Sequence, residues 1–134
     1  MTGFTLHARL DADGVFIADW PLSRVLLMDE AKFPWLILVP RRDGLTEIAD
    51  LDEAARNLLM AESVRAGEAL KSLFPCDKLN IAALGNQVSQ LHVHVIARHA
   101  EDSAWPQPVW GTSKNTYGDE ALAEIVERLK TALA

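Results

Sequence analysis

The stretch GNQVSQLHVHVIAR, residues Gly85 to Arg98, decides how this chain is read. From Gln90 onward polar and apolar residues alternate: Gln90, His92 and His94 are separated by Leu91 and Val93, and Val95 follows. A period of two is that of a β-strand, whose successive side chains leave on opposite faces. A strand regular from Gln90 onward therefore puts Gln90, His92 and His94 on one face. Leu91, Val93 and Val95 take the other, toward a core. At strand rise the polar row spans roughly 13 Å, long enough to lie along a phosphate chain or a nucleotide. Just before it, Gly85, Asn86, Gln87 and Ser89 make a turn rich in hydrogen-bonding groups. Such a turn can bring backbone N–H groups close to an anion.

Working outward, KLNIAAL (Lys78 to Leu84) reads as a partner strand joined through that turn. Upstream, GVFIADW (Gly14 to Trp20), SRVLLM (Ser23 to Met28) and WLILV (Trp35 to Val39) are three more strands. DEAKFP is short enough for a hairpin between the last two. From Leu51 the period changes. Leu51, Ala55, Leu59, Ala66, Leu70 and Leu73 recur at helical spacings and give a long helix one apolar side. Asp50 or Asp52 is placed to cap its start, and Pro75 follows its end. RRDGLTEIAD, before it, carries turn residues and one helical turn. Residues 101–118 are rich in Pro, Gly, Ser and Trp and read as an ordered loop. A last helix begins near Asp119, with Leu122, Ile125, Val126, Leu129 and Leu133 as its stripe. The order predicts an α+β fold: an antiparallel sheet with helices packed on one side.

The length of 134 residues fits one domain over residues 1–134. With 49% hydrophobic and 24% charged residues the chain is built to fold and not to stay disordered. A net charge of -6 argues against a general nucleic-acid binder, but leaves room for a nucleotide at a local site. The single cysteine, Cys76, has no partner for an intrachain disulfide and reads as a residue near a helix end. The opening MTGFTLHARLDADG shows no basic region followed by an apolar run. The longest apolar stretch, FPWLILVP, is far short of the about 20 residues that cross a bilayer. A cytoplasmic protein without a membrane partner is the expectation.

A His-x-His pair on a strand also fits other roles. The simplest is a solvent-facing row, where any polar residue serves. Solvent-facing strand positions more commonly hold Thr, Lys, Glu or Arg, yet two of the chain's four histidines stand here. A metal site is a further alternative and needs a third ligand. His99, Glu101, Asp102 and His7 are the candidates, none at a persuasive spacing, so no metal and no cofactor are expected.

LGNQVSQLHVHVIAR resembles the signature of the histidine triad superfamily, His-x-His-x-His-x-x, which follows a Gly-Gln-rich turn and often precedes an arginine. LLMDEAKFPWLILVPRR resembles the strand–loop–strand with which the family begins, ending in Val-Pro-Arg. The central helix, the Asn80 strand and the motif strand follow in the family's order. From about residue 15 to 98 the likeness is good, and AWPQPVWG resembles a Trp-Pro-rich tail of some branches.

The resemblance implies an antiparallel sheet with one long and one shorter helix, a homodimer, and a nucleotide or dinucleoside polyphosphate as ligand. It implies hydrolysis or transfer of a nucleotidyl group from a phosphoanhydride or phosphoramidate through a covalent nucleotidyl-histidine on His92. His94 takes the third triad place, and Asn80, Asn86 and Gln87 fall where the family surrounds ribose and phosphates. Asp29 falls near the ribose-binding acidic position. The chemistry suits these residues: neutral imidazole is a competent nucleophile near pH 7, and a covalent path divides one hard step into two. Two departures stand out. Gln90 occupies the first triad place; it donates and accepts hydrogen bonds but does not titrate. It is expected to be a variant triad member. Trp35 stands where the family often has a further histidine, and packing is expected of it ahead of base stacking. The alternative to an enzyme is a non-catalytic nucleotide-binding module of the same fold.

Overall fold

A computed structural model describes residues 4–134. β-Branched and leucine-rich runs between turn residues form five strands: β1 (Gly14–Asp19), β2 (Ser23–Met28), β3 (Trp35–Pro40), β4 (Lys78–Ala82) and β5 (Val93–Arg98). They make one sheet in the order β1-β2-β3-β5-β4, and each neighbouring pair is antiparallel. The crossover that carries the chain from β3 to β4 leaves a place between them, and β5 fills it. The motif strand is thus central, with Ile37 of β3 on one side of His94 and Ala82 of β4 on the other.

Three helices accompany the sheet: α1 (Ala8–Asp13), α2 (Glu53–Leu73) and α3 (Asp119–Leu133). Both aspartates considered as caps are used. Asp52 accepts from the Ala55 N–H at 2.8 Å and caps α2. Asp50 closes a short 3₁₀ turn, Ile48–Asp50, by accepting from the N–H groups of Thr46 and Glu47. Gly67 lets α2 lie close on the sheet, since a Cβ there would meet Leu79 Cδ1 at 2.6 Å. Ala55, Leu59, Ala66 and Leu70 of α2 and Ile125, Leu129 and Leu133 of α3 pack with Leu36, Leu38, Val93 and Val95 in one core. Helices on that side are what the element order predicts.

The other face is also covered. Trp35, Ile37, Val39 and Ile96 pack with Leu10, Phe33, Val88 and Val109 in a second core. Its lid comes from α1 and the loop before α3. Six residues with three apolar positions, Ala8, Leu10 and Ala12, alternating and not helically spaced, are too few to show a helical period, so α1 is invisible to pattern reading. Strand ends differ from expectation as well. β5 begins at Val93, later than a strand regular from Gln90 would, because the Leu91 N–H leaves the ladder to reach the Leu45 carbonyl at 2.9 Å. β4 ends at Ala82, before Leu84. Cys76 follows the end of α2, half-buried, its thiol near the Lys78 carbonyl. No helix among the described residues is long and apolar enough to cross a membrane.

Candidate functional site

The face of β5 that carries His94, Ile96 and Arg98 meets a cavity of about 350 Å³, within the size range of small-molecule sites. β3 contributes Trp35 and Ile37, β2 contributes Met28, and α1 contributes Arg9, Leu10 and Asp13. The turn before the motif brings Leu84 through Val88, and Trp110 reaches in from the loop before α3. Gly85 turns this segment with φ +82°, a conformation that side-chain-bearing residues rarely adopt. His92 and His94 stand side by side on the wall, ring centroids 4.8 Å apart. Of the residues expected at the site, the structure brings together His92, His94, Asn86 and Gln87.

The two rings have different partners. His92 Nδ1 lies 2.6 Å from the carbonyl oxygen of Gln90. A carbonyl only accepts, so this nitrogen carries the proton, and the neutral ring keeps its lone pair on Nε2. His94 Nδ1 lies 3.0 Å from the indole Nε1 of Trp35. Trp35 and Trp110 both stand edge-to-face to the His94 ring. Burial, and the neighbouring His92, push the His94 pKa down to about 4. Neither ring's Nε2 has a hydrogen-bond partner among the described residues, and neither is a buried orphan. Both are therefore available to the cavity.

Gln90, expected beside the histidines, directs its side chain elsewhere. Its amide oxygen accepts from the His7 N–H at 2.8 Å, and its amide nitrogen donates to the Thr5 carbonyl at 2.9 Å. The face pattern of a regular strand does not extend to it, because β5 starts three residues later. Its backbone carbonyl, not its side chain, is what reaches His92.

Asn80 sits on the same sheet face but in a buried cluster outside the cavity. Its Oδ1 accepts from Arg98 Nη1 at 3.0 Å. Arg98 also holds Asp102 through two bonds of 2.7 and 3.0 Å and donates to the Gln107 carbonyl. The guanidinium keeps the Asp102 carboxyl down at about 2. Asp29 is likewise engaged: its Oδ1 accepts from the Tyr117 N–H at 3.0 Å. Beside it, Glu30 accepts from the Asn115 N–H at 3.2 Å, and Lys32 donates to the Ser113 carbonyl. This acidic pair fastens the segment that follows Trp110. Among the described residues no group of three His, Cys, Asp or Glu side chains is placed to hold a metal ion.

Sequence reading missed the charged residues and one tryptophan of the cavity. Arg9 and Asp13 lie on α1, which shows no period, and pair with each other at 3.7 Å. Trp110 lies in a loop, where only the presence of a large apolar residue signals a contact. Trp35 was expected to pack. It does, at 6% exposure, and it also donates the hydrogen bond to His94.

A model of the HIT domain matches residues 9–101. Among solved structures, the chain is similar to a histidine triad protein of Bradyrhizobium japonicum, at 48% identity over 98% of each chain and a TM-score of 0.93. It is similar to a histidine triad protein of Marinobacter aquaeolei, at 44% identity over 97% of this chain and 96% of that one, TM-score 0.93. One from Sinorhizobium meliloti is 40% identical over 97% of each chain, TM-score 0.92. No curated protein matches the chain.

Proposed function

The chain belongs to the HIT domain family, and on that premise we propose that it is a nucleotide-binding hydrolase or transferase that acts through a covalent nucleotidyl-histidine. The observation that carries the reading is the state of His92. Its proton is held by the Gln90 carbonyl, and its unpartnered Nε2 faces a cavity of nucleotide-compatible size.

In the first half-reaction His92 Nε2 attacks the α-phosphorus of a nucleotide phosphoanhydride or phosphoramidate. An N–P bond forms, the bond to the leaving group breaks, and its electron pair departs with that group. In the second, water or another acceptor attacks the same phosphorus. The N–P bond breaks and the imidazole is restored. Donors around the phosphoryl oxygens lower both barriers. His94, Asn86 and Gln87 line the cavity and carry donors of the kind this needs. The nucleotide is the proposed partner, and the cytoplasm the proposed compartment.

A homodimer fits the surface. Met60 and Val64 lie one turn apart on α2 and are 66% and 51% exposed. Gly67, one turn further, touches Leu79 of the edge strand β4, and Ile81 of that strand is 48% exposed. An apolar helix stripe beside an unpaired strand edge is a surface that a second copy can cover.

A non-catalytic nucleotide-binding module is the second reading. It is favoured by the Gln90 side chain, which is engaged by the N-terminal segment. Rapid quench after mixing with nucleotide substrates, followed by intact-protein mass measurement, separates the two. A mass increase of one nucleotidyl group supports the enzyme. Saturable nucleotide binding without an adduct or turnover supports the module.

A further inference from the structure

Trp35 and His94 present a pairing whose chemistry is one-way. An indole N–H donates and never accepts. The His94 nitrogen that receives it, Nδ1 at 3.0 Å, must therefore be unprotonated. The neutral ring then carries its proton on Nε2, the nitrogen without a protein partner. His92 is held the opposite way round by the Gln90 carbonyl. One wall thus offers a lone pair from one imidazole and an N–H from the next.

Protonating His94 would require Nδ1 to give up this bond in a site with little to stabilise a cation. Trp35, Ile37 and Trp110 surround the ring and are uncharged. His92 is its titratable neighbour, and the two charged groups at the cavity, Arg9 and Asp13, pair with each other, Asp13 also with Lys114. The low pKa of His94 agrees with this geometry. The Gln90 amide does not titrate.

We infer that Trp35 is a positioning residue whose indole N–H fixes His94 as a neutral Nε2–H donor, so that the site cleaves phosphoanhydrides in preference to phosphoramidates. This rests on the reading of His92 as nucleophile. The preference follows from where the electron pair goes. When a P–O–P link breaks, the pair leaves on a phosphate oxygen, which is stable as an anion at neutral pH. When a P–N link breaks, the pair leaves on nitrogen, and an amine departs only if that nitrogen gains a proton. His94 can donate a hydrogen bond to a phosphoryl oxygen, but locked as it is, it is a poor acid for the amine.

Long-range proton–nitrogen spectra of the wild-type protein test the lock without needing turnover. The expected result is an unprotonated Nδ1 and a protonated Nε2 on His94, with no titration down to about pH 5. In Trp35→Phe, which keeps an aromatic ring and removes the N–H, the tautomers should mix and the titration midpoint should move up. Protonated Nδ1 in the wild type, or a titration near pH 6.5, would overturn the assignment of Trp35 whether or not the variant folds. The substrate preference is read with diadenosine tetraphosphate and adenosine 5′-phosphoramidate. kcat/KM should favour the anhydride by about 100-fold or more, the scale of one missing general acid. Trp35→His, which supplies a titratable partner, should narrow that ratio by about fivefold or more. Equal rates on the two substrates would refute the preference. No adduct and no turnover on either would refute the proposed function, while the spectra would still decide the role of Trp35.

Discussion

His92 Nδ1 and the carbonyl oxygen of Gln90 are 2.6 Å apart, so the backbone of one residue sets the tautomer of the side chain two positions later. This contact needs no particular side chain at position 90. The first triad place can therefore change to glutamine while the proposed nucleophile stays oriented.

From that relationship His92→Ala should abolish the covalent adduct and lower kcat/KM on the order of 10³-fold or more, the scale of losing a nucleophile. Far-ultraviolet circular dichroism should be unchanged. A folded variant that retains about a tenth of the wild-type rate would require another nucleophile.

His94 makes a prediction about stability and pH. Its folded pKa, about 4, lies below the ordinary value of 6.5. Between those values the unfolded chain binds a proton that the folded protein refuses, so stability falls as pH falls from about 6.5 to about 4. Above that window both states are neutral and the loss is absent. The full loss is about 3 kcal/mol at most. Urea unfolding across this range should show it, and His94→Gln should flatten the slope. An unchanged slope in the variant would mean that His94 is not held neutral.

Arg98 and Asp102 are buried together, each side chain 2% exposed. Removing one partner leaves an uncompensated charge, so Arg98→Ala should cost about 3–5 kcal/mol in urea unfolding. The same change frees the Gln107 carbonyl and loosens the loop that brings Trp110 to the cavity. A cost below about 1 kcal/mol would show that the cluster relaxes or hydrates when opened.

The proposed dimer predicts a surface effect. Met60→Glu together with Ile81→Glu puts two like charges on the apolar stripe and the edge strand. Light scattering at micromolar concentration should report twice the chain mass for the wild type and one chain mass for the double variant. A monomeric wild type, or a double variant that still dimerises, would place the interface elsewhere or remove it.

The fold was legible wherever a period was long enough to be read. Five apolar positions of α2 recur at helical spacing, β3 is an apolar run bounded by turn residues, β5 belongs to a stretch that alternates polar and apolar residues, and their order predicts the α+β class. At the site, His92, His94, Asn86 and Gln87 lie within one stretch of nine residues, so local pattern placed them together. Asn80, Asp29 and Gln90 did not follow, because each has its partner far away in sequence: Arg98, Tyr117, and Thr5 with His7. Long-range hydrogen bonds leave no periodic trace. Arg9 was missed because α1 is too short to show a period, and Trp110 because a loop has none.

Gln90 gives the most discriminating prediction, because its two possible roles respond differently to the same pair of variants. Its amide bridges the Thr5 carbonyl and the His7 N–H, at 2.9 and 2.8 Å. His7 is the N-cap of α1, which carries Arg9, Leu10 and Asp13 to the cavity wall. A clamp of this kind shapes the binding wall and leaves the His92 tautomer to the backbone carbonyl. Gln90→Ala then removes two neutral hydrogen bonds, about 0.5–1.5 kcal/mol each. KM should rise about three- to tenfold, while kcat stays within about twofold. Gln90→His should do much the same. A neutral imidazole carries its one donor and one acceptor on separate ring positions, and does not reproduce the side-by-side pair of an amide. Limited proteolysis before α1 should become faster in both variants. A triad role gives the opposite pattern. The loss in Gln90→Ala would then fall on kcat, by about ten- to a hundredfold, and Gln90→His would restore the rate and add an ionisation to its pH profile. Steady-state kinetics of the two variants on one accepted substrate separates these outcomes, and a kcat effect rescued by histidine would show that Gln90 acts on the phosphate or on His92 and not through α1.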